Sequence, residues 1–588
     1  MSDFKTVLVK DSVIGDITAD LDFAVKSGAS QTTYQRFPST SASNSALIYN
    51  VQVPSENVVI GRDVLLNTAL TIELTYSGGL AGATIFAYGQ QDAFQAFPLN
   101  SLFTTATAQI NNTTVSINSK DVLPSLLRMN NSRELYRYNS MTPCLPDQAY
   151  ANYAQGVLAN NNPLADYSTA SYDVDQVPRG AFPAKVQYTR NGGALIVAAN
   201  GKIVAPVGGA TTDVYKICVQ TVVTEPILLS PFIWSDPEFN CQGLLGINNM
   251  AFTFNIDSTA SRVWSTASPY YQSITLGSSI LPAPATGSVF TAVTLGYAQA
   301  ATGPSLLFRF LSTQPSDLIQ TKNIVPYMDF PRYLTSAANN TAIASGASST
   351  ITSSNLQINQ IPDMFIVTVR KAMSAQTPQD SRSNLIINNI SINLNNQSGL
   401  LSSSSQQDLW RLSERNGSSQ SWAEFSGQAY SANASATGIV ATTGSVLVLV
   451  PPYDLSLPDY ITSGSLGNYN FQFTVNVTNQ FGVSLNPEIC VVCVNSGIFS
   501  TQQGVSAVYT GILTKEMVLA SKATQQASAM KSREVKRMVG GNILNTALSA
   551  IGSLLGEGRR HKGGAMGVAS SGGAMGMASS GGRLKKFH

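Results

Sequence analysis

The chain has only two histidines, His561 and His588, and both lie close to its C-terminal end. The 530 residues before Lys531 therefore cannot supply a Ser-His-Asp or Cys-His nucleophile, a histidine zinc ligand or a histidine general base. Carboxylate chemistry needs no histidine, but no Asp/Glu pair stands out by its spacing. Cys490-Val-Val-Cys493 has the spacing of a redox or zinc CxxC. Its neighbours make it a strand, however, and residues three apart on a strand point to opposite faces, so the plainer reading is two strand cysteines. No Walker A or dinucleotide-binding glycine pattern occurs, and Gly78-Gly79 sits in a turn context. Trp234, Trp264, Trp410 and Trp422 could stack on sugars, but their apolar and turn settings favour core or interface packing. The expectation is no catalytic residue, no cofactor and no metal.

The other chemically distinctive residues are cations. From Lys531 onward there are ten (Lys531, Arg533, Lys536, Arg537, Arg559, Arg560, Lys562, Arg583, Lys585 and Lys586) against two acids, Glu534 and Glu557. The tail thus carries +8 and the preceding 530 residues −6, an asymmetry hidden in the net +2. It also holds a tandem nine-residue repeat, GGAMGVASS at 563–571 and GGAMGMASS at 572–580. Gly/Ser-rich sequence of this kind cannot bury a core and predicts a flexible tail. Within it, 542–556 (NILNTALSAIGSLLG) has Ile543, Leu544, Ala547, Leu548, Ile551, Leu554 and Leu555 on one face of a helix. Three roles fit this amphipathic helix: docking on the protein's own base or a neighbour, lying on a membrane surface, or spacing a nucleic-acid arm. Its polar face lacks charge, which weakens the membrane role. Contact of the ten cations with nucleic acid would be phosphate-driven and salt-sensitive, and a solubilising tail is the plain alternative.

Between residues 30 and 520 the chain reads as short strands separated by turns. The β-rich runs include 46–53, 64–75, 194–199, 214–224, 250–256, 306–312, 365–370, 384–394, 445–450, 471–477 and 489–495. Phe471–Val477 alternates most cleanly, and helical periodicity is confined to short stretches near 123–137 and 403–416. Many short strands without βαβ alternation predict β-sandwiches, and the length requires two. The best seam is 273–287, with Pro282 and Pro284 among small residues. This divides the chain into an N-terminal arm (1–29), a first sandwich (30–275), a linker (276–287), a second sandwich (288–522) and the tail (523–588).

Composition narrows the class. Of 588 residues 43% are hydrophobic and only 12% charged, against an ordinary charged fraction of about 25%. Ser, Thr, Asn and Gln replace the missing charge, which suits extensive protein–protein contact better than a lone monomer. Five cysteines, no signal-peptide pattern at the start and no apolar run long enough for a membrane span predict reduced thiols in a soluble protein made inside a cell. Sequons at Asn111, Asn389 and Asn416 then count only as loop composition.

A set of short motifs, in order along nearly the whole body, resembles the double jelly-roll major capsid proteins of small eukaryotic DNA viruses, particularly the virophage and Polinton-like group of the adenovirus-like lineage. They are Tyr34–Thr40 (YQRFPST), Asp92–Pro98 (DAFQAFP), Asn160–Leu164 (NNNPL), Pro178–Gly180, Ser230–Trp234 (SPFIW), Ser261–Ser265 (SRVWS), Ile361–Asp363, Ser421–Phe425 (SWAEF), Gly444–Leu449 (GSVLVL), Tyr453–Leu457 (YDLSL), Gly467–Phe471 (GNYNF) and Thr478-Asn479. The resemblance implies an all-β fold of two consecutive antiparallel eight-stranded jelly-roll sandwiches. It implies no enzyme but a structural subunit whose homotrimers, pseudo-hexagonal in outline, tile an icosahedral shell. Its partners would be itself and penton or minor capsid proteins, its location the virion assembled inside the host cell, and its tail would face the interior near the genome or an inner membrane.

The tail extends the resemblance. Met538-Val-Gly-Gly541 before Asn542 looks like one recognition pattern of the adenovirus-type cysteine protease, and Leu554-Leu-Gly-Glu557 before Gly558 looks like a second. A maturation protease is thus an implied partner, with cleavage after Gly541 and Glu557; chance matching in Gly-rich sequence is the alternative. Two other classes remain open on sequence: a β-sandwich receptor- or glycan-binding spike, and a carboxylate glycosidase.

Overall fold

A computed structural model describes residues 29–511 apart from 145–183, 234–242, 277–303, 315–321, 431–438 and a few shorter gaps. The strands Ala46–Gln52, Leu65–Ser77 and Val214–Pro226 form where sequence alternation predicts them, because alternate residues such as Leu70, Ile72, Leu74 and Tyr76 enter one core. Each of the other runs read as strand also contains one. The helical stretches appear as Ser119–Leu126 and Gln406–Arg415, the latter started by a reciprocal Ser405/Asp408 capping box.

The first sandwich is built on eight principal strands: Ala29–Pro38, Ala46–Gln52, Leu65–Ser77, Phe103–Ile110, Thr113–Ile117, Val214–Pro226, Asn249–Ile256 and Ser305–Gln314. One sheet pairs them in the order first–eighth–third–sixth, the other second–seventh–fourth–fifth, all antiparallel. The second sandwich repeats this order with Lys322–Asp329, Ser348–Thr352, Met364–Lys371, Ile386–Leu394, Gln397–Leu400, Val446–Leu449, Leu466–Thr478 and Pro487–Gln502. This is the strand order of a jelly roll, present twice. Shorter strands such as Lys185–Arg190 and Val505–Thr510 extend the sheets, so each sandwich holds more than the eight strands expected.

The division of the chain differs from the sequence reading. Ser305–Gln314, which a linker at 276–287 assigns to a second block starting at 288, pairs along its length with Ala29–Pro38 and closes the first sandwich. The change of sandwich falls between Gln314 and Lys322. The physical reason is the topology: the last strand of a jelly roll returns to the first, so a proline-marked connection can lie inside the roll. Residues 277–287, the N-terminal arm up to residue 28 and everything from 512 onward, the helix at 542–556 included, lie outside the described residues.

Candidate assembly surfaces

Three second-sandwich strands read as nearly unbroken apolar runs: Met364–Arg370, Val446–Leu449 and Ile489–Val494. Their alternate residues serve two cores. Phe365, Val367, Leu447, Leu449, Ile489, Val491 and Cys493 face the second sandwich's own interior, where Phe365 meets Phe471 at 4.9 Å between ring centroids. Met364, Ile366, Val446, Val448, Cys490, Val492 and Val494 join the first sandwich's core cluster instead. Burial on both faces is what gives a strand a continuous apolar sequence. The two sandwiches are therefore fused along the outer face of the second one's first–eighth–third–sixth sheet.

Polar groups pin this apolar seam. The Ser119–Leu126 helix, which follows the fifth strand of the first sandwich, presents Asp121; Arg370 Nη2 and Arg332 Nε each approach its carboxylate at 2.5 Å, and Arg370 also donates to Glu488 at 2.6 Å. Arg128 and Glu424 form a second buried pair at 2.5 Å. At the other end the backbone of Gly504 donates to Gly246 O at 3.1 Å, and Ser506 N donates to Asn112 Oδ1 at 2.7 Å. Gly504 has φ +78°, and a Cβ there would come within 2.4 Å of Asn248 Nδ2, so this turn requires glycine.

Among the described residues, the corresponding outer face of the first sandwich packs on no other sandwich. Its outward residues include Leu65, Asn67, Ala69 and Thr71, flanked by Val222 opposite Ala69, Thr224 opposite Asn67 and Leu307 opposite Leu65, while Ser305, Glu73 and Cys218 on the same side are buried. Ala69 is exposed, and Leu65, Asn67, Thr71, Val222, Thr224 and Leu307 are half-buried. The second sandwich also has its own helix after the fifth strand, Gln406–Arg415. Asp408 occupies its third position, as Asp121 does in Ser119–Leu126, and is exposed.

The two second–seventh–fourth–fifth sheets share another property. On the first, outward residues form cross-strand rows Asn50–Ala251–Gln109–Thr114 and Ile48–Thr253–Thr107–Ser116. On the second the rows are Thr350–Asn476–Asn389 and Thr352–Thr474–Ser391. Side-chain hydrogen bonds such as Thr350–Asn476 at 3.0 Å and Asn388–Thr478 at 2.7 Å tie the latter together. No outward residue of either face is charged.

Cys490 and Cys493 belong to different cores, as their spacing on a strand predicts, and burial pushes both thiols above their ordinary range. The described cysteines Cys144, Cys218, Cys490 and Cys493 are all free and buried. Among the described residues no three His, Cys, Asp or Glu side chains group as a metal site, and no helix is long and apolar enough to cross a membrane. Trp264 is buried between Phe86 and Phe94, and Trp410 packs edge-on to Trp422 at 5.7 Å; Trp234 lies outside the described residues.

The two most buried carboxylates are structural. Glu225 accepts from the backbone of Leu99 (3.1 Å) and Asn100 (3.0 Å) and from the Asn100 (2.8 Å) and Thr142 (3.3 Å) side chains, at the start of a short buried helix. Burial still pushes its pKa up to about 7. Asp92 accepts from Tyr76, from Thr266 at 2.7 Å and from Ala87 N at 3.0 Å, and burial raises it to about 6. A carboxyl with a raised folded pKa contributes stability that is fully present below its unfolded pKa and lost as pH rises through the folded value. In Asp92→Asn the amide oxygen can accept from Ala87 N while its NH2 donates to the two hydroxyls. The variant is therefore expected to gain on the order of 3 kcal/mol over the parent between pH 4 and pH 8, read from urea midpoints; parallel pH profiles for the two proteins would contradict it.

The residues singled out in the tail are not brought together by anything described. Gly541, Asn542, Glu557, Gly558 and the ten cations from Lys531 to Lys586 all lie outside the described residues. What sequence reading missed is the seam: Asp121, Arg332 and Arg370 are far apart in the chain, and their one signal was charge next to strands with no polar face.

Comparison with known proteins agrees with this geometry. Residues 2–311 match the family described as Sputnik virophage major capsid protein 1st domain, and residues 330–497 match the major capsid protein V20 C-terminal domain. Capsid protein V20 of Sputnik virophage is 27% identical over 555 residues, covering 92% of this chain and 85% of the relative. The Sputnik virophage cryo-EM structure superposes with a TM-score of 0.67 at 23% identity, covering 89% of this chain and 96% of that one. The mavirus major capsid protein crystal structure superposes with a TM-score of 0.58 at 16% identity, covering 88% and 98%. The division between the two family matches, 311 to 330, brackets the point where the sheets change sandwich. With two jelly rolls fused side by side and more than half its length matched, the chain belongs to the Sputnik virophage major capsid protein family.

Proposed function

We propose that the chain acts by geometry, as a major capsid subunit whose homotrimers, pseudo-hexagonal in outline, tile an icosahedral shell. One observation carries this reading: the chain contains the same sandwich twice, joined through a seam that uses one outer sheet face of the second roll, while the matching face of the first roll packs on no sandwich among the described residues and exposes Ala69. An interface of that kind is heterologous, and a heterologous contact that closes forms a ring. If the free face at Ala69 meets the helix side of the next copy's second sandwich, presented by Gln406–Arg415, three chains give six rolls around one axis. Light scattering on the purified chain is expected to give about three times 62.3 kDa; a stable monomer at micromolar concentration would sink the reading.

The tail fits an interior role in the virion, with salt-sensitive genome contact through Lys531–Arg537, Arg559–Lys562 and Arg583–Lys586. A maturation protease would cut after Gly541 and Glu557, and penton and minor capsid proteins would complete the shell. Cleavage after Gly541 removes six of the ten tail cations and one acid, which leaves a retained chain of net −3. Intact-mass spectrometry of particles is expected to show chains ending at Gly541 or Glu557. Chains running through to His588 would exclude processing.

A further inference from the structure

Neither the seam nor the free face at Ala69 uses the charge-free faces of the two second–seventh–fourth–fifth sheets. We infer that these two faces are where a trimer meets copies of this chain in neighbouring trimers. The inference rests on the trimer reading and adds the surface that the lattice uses. Three observations point to another copy of the chain as the occupant.

The first is charge. An antiparallel sheet facing water ordinarily carries charged residues among its outward positions, whereas interfaces are depleted in Lys, Glu and Asp. Both faces lack charge altogether, and a face without charge can meet its own copy without repulsion. The second is repetition. The two sandwiches show no sequence repeat, yet both carry Ser, Thr, Asn and Gln rows on the same sheet of the roll, so every roll of a trimer would offer the same kind of surface. The third is continuity: the first face runs at its fifth-strand edge into the seam, where Thr113 Oγ1 donates to Ser506 O at 2.7 Å. Rows of short hydroxyl and amide side chains lose little entropy on docking and suit a wet, hydrogen-bonded contact.

Isosteric charges test this. Asn50→Asp, Gln109→Glu and Asn255→Asp together place three carboxylates on the first face with no change of shape. The full-length variant is expected to keep the parent's thermal unfolding and trimer mass, while shell yield by negative-stain imaging falls at least tenfold at low salt and recovers as salt screens the repulsion. Shells at the parent's yield and salt dependence would overturn the inference. So would a folded variant that no longer forms trimers, since the face would then lie within the trimer. Should the triple variant fold poorly, Gln109→Glu alone, at an exposed position, carries the same test. Failure of the underlying reading looks different: the unmodified chain itself would give no trimer.

Discussion

Ala69→Arg is expected to leave the chain folded and to stop it from forming trimers. Ala69 lies on the outward side of Leu65–Ser77, opposite Val222 and exposed to solvent in the single chain, so an arginine there has room and water in the monomer. In the proposed ring the same position is covered by the next copy's second sandwich. The counterpart seam inside the chain shows what that environment is like: Met364, Ile366, Val446 and Val448 are all buried in it. A guanidinium placed there without a carboxylate partner would cost about 3 kcal/mol or more per contact, roughly two orders of magnitude in association. Light scattering should read a species near 62.3 kDa where the parent reads a trimer. Ala69→Thr, which keeps the face neutral and adds little volume, should retain most of the association. A trimer that tolerates arginine at this position would show that the free face is not the ring contact.

Removing the Asp121 carboxylate is expected to weaken the seam. Asp121→Ala leaves Arg332 without this counter-charge and Arg370 with Glu488 as its remaining acidic partner, in a seam where the Arg370 and Asp121 side chains are 5% and 9% exposed. Leaving a buried charge wholly uncompensated costs about 3–5 kcal/mol; because Arg370 keeps Glu488 and the Arg332 side chain is 30% exposed, the expected loss is about 1–3 kcal/mol. The second sandwich has an apolar core of its own, built around Phe365, Phe471 and Phe473, so loosening the seam need not unfold it. The variant is therefore expected to unfold in urea in two separated transitions, the first at lower denaturant than in the parent. A single transition at the parent's midpoint would mean that the ion cluster contributes nothing to the joint.

Much of the fold was legible in the sequence because alternation reports burial directly. Phe471–Val477 shows it: Phe471, Phe473, Val475 and Val477 are fully buried and the residues between them are not. The first strand, Ala29–Pro38, escaped notice because its described residues are exposed or half-buried, and such a strand need not carry an apolar period. The Phe103–Ile117 hairpin was hidden by small residues, since Ala106 and Ala108 fill the core positions that larger side chains usually mark. The boundary between sandwiches was misplaced because prolines and small residues mark a connection without saying which strands it joins.

The sequence by itself determined three things: an all-β body, the absence of histidine chemistry from that body, and the segregation of charge into a −6 body and a +8 tail. Each follows from local composition or from the two-residue period of a strand, which needs no knowledge of what lies nearby. Tertiary structure alone decided which cysteine and which valine of Cys490–Val494 entered which core, that Ser305–Gln314 closes the first roll, and that Asp121 meets arginines more than 200 residues away. Those are long-range pairings, and residue type constrains them only weakly. A continuous apolar run shows that both faces of a strand are covered, but not by what. Here one cover is the other half of the same chain.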